Sequence, residues 1–245
     1  MSRPLLGGRT TYGQDLGILM LDTRFERLRG DVGNASTWPF PVRYKVVTGA
    51  TSSRIMGREP DPDLIAPFVA AARELDADGV TAITTSCGFL AAFQPELAAA
   101  VTVPVVTSAL LQVPLAARMI GPDRRVGILT ERPNLTEAHF RALGWSSTEV
   151  PVVIRALPDE AVFPTIFIDG SGRRVEPNLL EAELVSAAAA LIADAPDVGA
   201  IVLECTNFVP FSAAMRRATG RAVFDLYTLV AGVSAASREA AARGG

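Results

Sequence analysis

The chain carries two thiols, Cys87 and Cys205, and each follows an apolar run of the kind that forms a buried strand. The runs are Gly79-Val-Thr-Ala-Ile-Thr-Thr-Ser-Cys87 and Val198-Gly-Ala-Ile-Val-Leu-Glu-Cys205. A few residues after each thiol a proline opens a helical stretch, Pro95-Glu-Leu-Ala-Ala-Ala and Pro210-Phe-Ser-Ala-Ala-Met. A cysteine at a strand end, followed by backbone amides and a helix start, has its thiolate favoured by those dipoles. A lone buried cysteine is often no more than a small hydrophobe; two in matched settings suit one site with a sulfur on each side. One thiolate then takes a proton from a carbon acid while the opposed thiol gives one back. That exchange inverts a stereocentre, and reversing the roles serves the other enantiomer.

Acid–base action of this kind contributes typically ~10²–10⁴-fold, too little for a proton next to a carboxylate. The larger share must come from donors aimed at the developing enediolate oxygens. Candidates on the first side are Thr85, Ser86 and the amides of Gly88 and Phe89. Thr206 and Asn207 serve on the second side, and Thr130 ends the strand equivalent to the first one. Asn34, Ser36 and Thr37 sit on a polar loop, Arg29–Pro41, that is placed to close over the site. The substrate-binding set is therefore Asn34, Thr37, Ser86, Gly88, Thr130, Thr206 and Asn207. Glu204 precedes Cys205, and strand alternation turns it to the opposite face, outside the site. Asp22 and Arg24 end the first strand as capping and solvated groups, with orientation of the site and a substrate carboxylate as their other roles. His139, the only histidine, reads as a solvated or helix-capping residue. One histidine and two cysteines this far apart form no zinc motif.

Parallel strands must position these groups. Apolar runs at Leu16–Leu21, Val42–Val47, Val80–Thr85, Val103–Thr107, Arg125–Leu129, Pro151–Ile154, Ala200–Glu204 and Ala222–Phe224 alternate with helical patterns. The helices are expected at Asp63–Leu75, Pro95–Ala100, Leu110–Ile120, Leu135–Leu143, Glu176–Ala193, Phe211–Ala218 and Leu226–Ala242. Asn134 reads as the N-cap of Leu135–Leu143 and Gly144 as its stop. Near-continuous apolar strands alternating with helices indicate an α/β fold with parallel sheets covered on both faces. The halves repeat: Leu16-Gly-Ile-Leu-Met resembles Val126-Gly-Ile-Leu-Thr, and both Cys87 to Val105 and Cys205 to Val223 span 18 positions. A duplicated unit gives two pseudo-symmetric lobes, each a parallel sheet flanked by helices. Ligands in such sheets bind beyond the carboxyl ends of the strands, so the site belongs in the cleft between the lobes. Asp169-Gly-Ser-Gly reads as a turn, and no P-loop or G-x-G-x-x-G follows any strand.

At 245 residues, with 49% apolar residues and a net charge of -3, the chain is long enough for a full core without staples. No basic stripe suits nucleic acid. No signal-peptide pattern and no membrane-length apolar run is visible, so a cytoplasmic location is expected. The Ala-rich tail ending Glu239-Ala-Ala-Ala-Arg-Gly-Gly either docks on the first lobe or contributes to a homo-oligomer.

These segments resemble the aspartate/glutamate racemase superfamily, which includes glutamate, aspartate and hydantoin racemases. The resemblance rests on the first strand, Thr84-Thr-Ser-Cys87-Gly, Val103-Pro-Val-Val-Thr-Ser, Val126-Gly-Ile-Leu-Thr130 and Leu203-Glu-Cys205-Thr206-Asn207. It implies one cysteine from each lobe, no pyridoxal phosphate or metal, and lobes that exchange near their ends. The first lobe would take residues 1–108 and 227–245 and the second 109–226. Glutamate racemases typically carry Cys-Asn-Thr and Cys-Thr-His at the two sites; here stand Cys87-Gly88-Phe89 and Cys205-Thr206-Asn207. Asp22-Thr23-Arg24 replaces the glutamate-type Asp-Ser-Gly. The chain is thus set apart from glutamate racemase itself. The expected activity is cofactor-independent racemisation or epimerisation of a small carboxylate or amino-acid-like carbon acid by Cys87 and Cys205. A one-base isomerase or decarboxylase of the same superfamily and a non-catalytic small-ligand binding module are the alternatives.

Overall fold

A computed structural model describes residues 8–168, 172 and 174–243. The expected Asp169-Gly-Ser-Gly turn lies outside these, apart from Gly172. Two four-stranded, all-parallel sheets form the frame, with residues 42–47, 16–21, 82–85 and 105–106 side by side in one and 152–156, 125–130, 198–203 and 222–224 in the other. The first sheet holds β1 (Leu16–Leu21), β2 (Val42–Val47), β3 (Ala82–Thr85) and β4 (Val105–Val106). The second holds β5 (Arg125–Thr130), β6 (Val152–Ala156), β7 (Val198–Leu203) and β8 (Ala222–Phe224). The α/β, two-lobed reading of the sequence is what the structure shows.

Helices cover the sheets. They are α1 (Ser52–Ile55), α2 (Ile65–Asp78), α3 (Gln94–Ala100), α4 (Val113–Ile120), α5 (Glu137–Ala142), α6 (Val162–Phe167), α7 (Pro177–Asp194), α8 (Ser212–Thr219) and α9 (Leu226–Arg243). The repeated Gly-Ile-Leu has a packing cause. A Cβ on Gly17 of β1 would lie 3.0 Å from Leu75 of α2, and one on Gly127 of β5 would lie 2.7 Å from Leu191 of α7. Each glycine lets a helix leucine seat directly on its strand. Gly79, in the left-handed region at φ 86°, ends α2 with its amide on the Asp76 carbonyl.

Three buried clusters organise the core. One combines Leu16, Ile18 and Ala82 of the first sheet with Val126, Ile128, Ala200 and Val202 of the second, so the lobes share apolar packing. Leu226 and Val230 of α9 belong to it, and the tail helix packs on β3. The outer cluster of the first lobe includes Cys87 and Phe89, and that of the second includes Cys205 and Phe208.

Local differences from the sequence reading have local causes. Asn134 does not cap α5: its Nδ2 donates to the Met56 carbonyl at 2.7 Å and ties the lobes together. Thr136 is the N-cap, and its amide donates to His139 Nδ1 at 3.2 Å. His139 caps as expected but is fully buried, edge-on to Phe89, and is no surface residue. Gly144 follows α5 in the left-handed region, as its role as a stop requires.

Candidate active site

Both lobes run out at one cleft. β3 ends at Thr85 and β7 at Leu203, and the chain crosses the sheet edge in the same way twice. The Ser86 amide donates to the Leu19 carbonyl at 2.9 Å, and the Glu204 amide donates to the Leu129 carbonyl at 2.9 Å. Cys87 and Cys205 come next, each the N-cap of a 3₁₀ turn, Gly88–Phe93 and Thr206–Phe211. The Thr206 hydroxyl donates across the lobes to the Ser86 carbonyl at 2.7 Å. Gly88 packs against Glu204 so closely that a Cβ would lie 2.2 Å from the Glu204 carbonyl oxygen. Cys87 and Cys205 line one cleft together with Ser86, Gly88, Thr206 and Asn207.

Three of the expected substrate-binding residues lie elsewhere. Asn34 takes the Ser36 amide on its oxygen and donates to the Arg27 carbonyl, and Thr37 donates to the Asp31 carbonyl while accepting from Gly30. Both fold the loop after β1 and do not line the cleft. Thr130 is fully buried behind the lining, where its hydroxyl donates to Glu204 Oε2 at 2.7 Å. Asp22 accepts from the Gly49 amide at 3.1 Å and pins the β2 end.

The structure adds two carboxyl groups. Glu204 lines the cleft, because β7 stops at Leu203 and strand alternation no longer governs the next residue. The repeat held the signal: Glu204 occupies the position of Ser86, itself a candidate. Glu131 also lines the cleft, and the Cys205 thiol donates to its Oε2 at 3.1 Å. By the matched backbone bonds Glu131 stands where the first lobe has Leu21, a likeness masked by the change of residue type. Arg27, Phe25, Met56 and Phe167 complete much of the wall. The Arg27 guanidinium lies 4.3 Å from the Phe25 ring centroid and donates to Asp31 at 2.8 Å and Thr23 at 3.0 Å.

Burial reverses the expected thiol electrostatics. Cys87 is 7% and Cys205 6% exposed. Desolvation, then the nearby Glu204 carboxyl, pushes the Cys87 thiol up, against the pull of the Phe89 and Leu90 amides. Desolvation followed by Glu131 and Glu204 pushes Cys205 well up, against the Asn207 amide. The turn amides are present, but they do not win. Glu204 is pushed up to about 8, chiefly by burial, with Thr130 opposing and Glu131 adding to the rise. Both sulfurs are therefore held as thiols and Glu204 as a carboxylic acid at neutral pH. Among the described residues no group of three or more His, Cys, Asp and Glu could hold a metal ion. None of the helices in the described chain is long and apolar enough to cross a membrane.

Known proteins are similar to this chain, some in sequence and some in fold. The dimethylsulfoniopropionate lyase of Durusdinium sp. clade D is 31% identical over 215 residues, 86% of this chain and 70% of that protein. Dimethylsulfoniopropionate lyase 3 of Emiliania huxleyi (strain CCMP1516) is 29% identical over 221 residues. That match takes in 87% of this chain but 57% of the relative, so the chain spans little more than half of its length. Unliganded arylmalonate decarboxylase superposes with a TM-score of 0.55 at 19% identity, over 94% of this chain and 92% of that one, which shows a common fold. The family model described as Asp/Glu/Hydantoin racemase matches residues 46–236, and the chain belongs to that family.

Proposed function

We propose that the chain is a lyase that removes the α-proton of a small carboxylate and expels a leaving group from the β-carbon, with dimethylsulfoniopropionate the first substrate to test. The observation that carries this reading is the broken symmetry of the site. Both carboxyl groups on the lining come from the second lobe, where the first lobe has Leu21 and Ser86. A racemase serving both enantiomers needs opposed bases of comparable strength. Cys205 has a proton acceptor, Glu131, at hydrogen-bond distance, whereas the equivalent position beside Cys87 is a leucine. An elimination needs one base. The names of the two lyase relatives point the same way.

In this mechanism the Cys205 proton passes to Glu131, and the thiolate takes the α-proton of the substrate. The C–H electron pair becomes the enediolate and then the new Cα–Cβ double bond. The bond from the β-carbon to sulfur breaks with its pair on sulfur, giving a neutral dialkyl sulfide and acrylate. Water takes the proton left on the Cys205–Glu131 pair. In this reading the amides of Gly88 and Phe89 and the side-chain amide of Asn207 hold the substrate carboxylate and the charge that grows on it.

Racemisation is the second reading, favoured by the presence of two thiols on one cleft. Proton NMR in D₂O with headspace detection of dimethyl sulfide separates the two. The lyase yields sulfide and acrylate; Cys205→Ala removes ~10²–10⁴-fold of the rate, and Cys87→Ala costs clearly less. If glutamate, aspartate or hydantoins instead exchange their α-protons without elimination, and either substitution abolishes exchange equally, the lyase reading is overturned.

A further inference from the structure

Glu204 has an unusual setting for a carboxyl group. It is 1% exposed, its Oε2 accepts from Thr130, and its Oε1 has no hydrogen-bond partner although it lines the cleft. Oε1 lies against the bare Cα of Gly88: a Cβ there would approach it to 2.4 Å. Gly88 follows Cys87, and Glu204, Gly88 and Cys87 all line the cleft. A buried polar atom left without a partner costs free energy and calls for an explanation. The cation on the lining, Arg27, is turned to Asp31 and Thr23. The other titratable groups facing the same space are Glu131, Cys87 and Cys205.

We infer that Glu204 is the specificity-determining residue of the cleft and seats a substrate's fixed positive charge, a sulfonium centre on the β-carbon. This rests on the lyase reading for the site and names the group that the leaving atom must carry. The chemistry of the seat discriminates among cations. A primary ammonium brings three N–H donors and needs several acceptors. A methylated onium centre brings none, so a single bare oxygen suits it. Its methyl groups find Phe25, Met56 and Phe167 on the same lining, and aromatic walls favour such cations. Neutral β-substituents leave the Glu204 oxygen without any partner.

The seat also couples binding to a proton. Glu204, held at about 8 by burial, keeps its proton at pH 7, and a cation placed beside it favours the ionised form. Binding of the onium group therefore expels that proton.

Titration calorimetry in buffers of different ionisation enthalpy tests this with two non-reacting probes. These are trimethylammoniopropionate and the isosteric carboxylate with carbon in place of nitrogen. The wild type should prefer the cation by roughly tenfold or more and release close to one proton per cation bound at pH 7, with none for the isostere. In Glu204→Gln, which keeps the shape and a partner for Thr130, preference falls toward parity and proton release disappears. Glu204→Asp keeps the charge and retains part of the preference, which guards against a Gln variant that merely misfolds. A preference and proton release that survive Glu204→Gln, a wild type that binds the isostere equally well, or one that binds neither probe overturns the inference. Cation preference without sulfide production sinks the lyase reading alone; sulfide production with a preference untouched by Glu204→Gln sinks the seat alone.

Discussion

At the scale of single residues, Glu204 makes the fold itself sensitive to pH. In the unfolded chain its carboxyl ionises near the ordinary 4.5, while the folded protein holds the proton to about 8. Between those values the folded state binds one proton more than the unfolded state, so stability falls as pH rises through that window. Glutamine carries no such proton. Glu204→Gln should therefore gain on the wild type between pH 5 and pH 8, by an amount on the order of 3–5 kcal/mol. Urea unfolding of both proteins at the two pH values measures it. A constant difference would mean that Glu204 is already ionised in the fold. The two cysteines were legible in the sequence because their residue type is rare and their flanks repeat. Glu131 and Glu204 were not, since acidic residues are common and the first lobe replaces them with Leu21 and Ser86. Alternation misplaces Glu204 because the rule holds only while the strand continues, and β7 ends one residue earlier. The polarity of Asn34 and Thr37 suggests substrate contacts, but short polar side chains in a loop serve their own backbone first.

Among the elements, β1, β2 and β8 occupy the spans that their apolar runs predict, while β4 shrinks to Val105–Val106. The sequence after Val106 leaves the sheet for a different use: the Thr107 amide and hydroxyl bond to Gln94, and the Ser108 side chain caps the next 3₁₀ turn. The helix α6 was hidden in a proline-marked stretch; Pro164 lies within its first turns, where a missing N–H does least harm. The start of α5 shows how two good capping residues compete. Asn134 is drawn away by the Met56 carbonyl, and Thr136 caps with His139, a contact set by tertiary packing that a local reading does not contain. Thr136→Ala should cost about 1 kcal/mol, seen as a fall in Tm of roughly 2–4 °C for a chain of this size. Because Thr136 is not on the cleft, turnover at a temperature where both proteins are folded should match the wild type. A Tm equal to the wild type's would show that α5 is held by its packing on the Gly88–Phe93 turn alone.

For the molecule as a whole, two lobes close around a site whose two thiols are buried. Phe25 follows β1 in the first lobe and Phe167 ends α6 in the second; their rings meet edge to face at 4.9 Å. Both residues line the cleft, and both also line a wider outer cavity of about 1240 Å³ empty volume with Arg24, Arg174 and Leu180. This aromatic pair is the common wall between solvent-side space and the thiols. It is made of one residue per lobe, so any movement of one lobe against the other changes it. The same burial that keeps the pair together also holds both thiols protonated, and alkylation proceeds through the thiolate. Iodoacetamide should therefore modify the wild type slowly at pH 7. Phe167→Ala removes one leaf of the wall, admits water and reagent, and lowers the desolvation that raises both thiols. Alkylation of Cys87 and Cys205, read by peptide mass spectrometry, should accelerate by roughly tenfold or more, the factor set by a drop of one pH unit in a thiol's titration. Arg174→Ala, a truncation at an exposed residue of the outer cavity that does not line the thiol cleft, should leave the rate near that of the wild type. Equal rates for the wild type and Phe167→Ala would mean that reagent reaches the cysteines by another route, and the two phenylalanines would then be packing residues of the lobe contact.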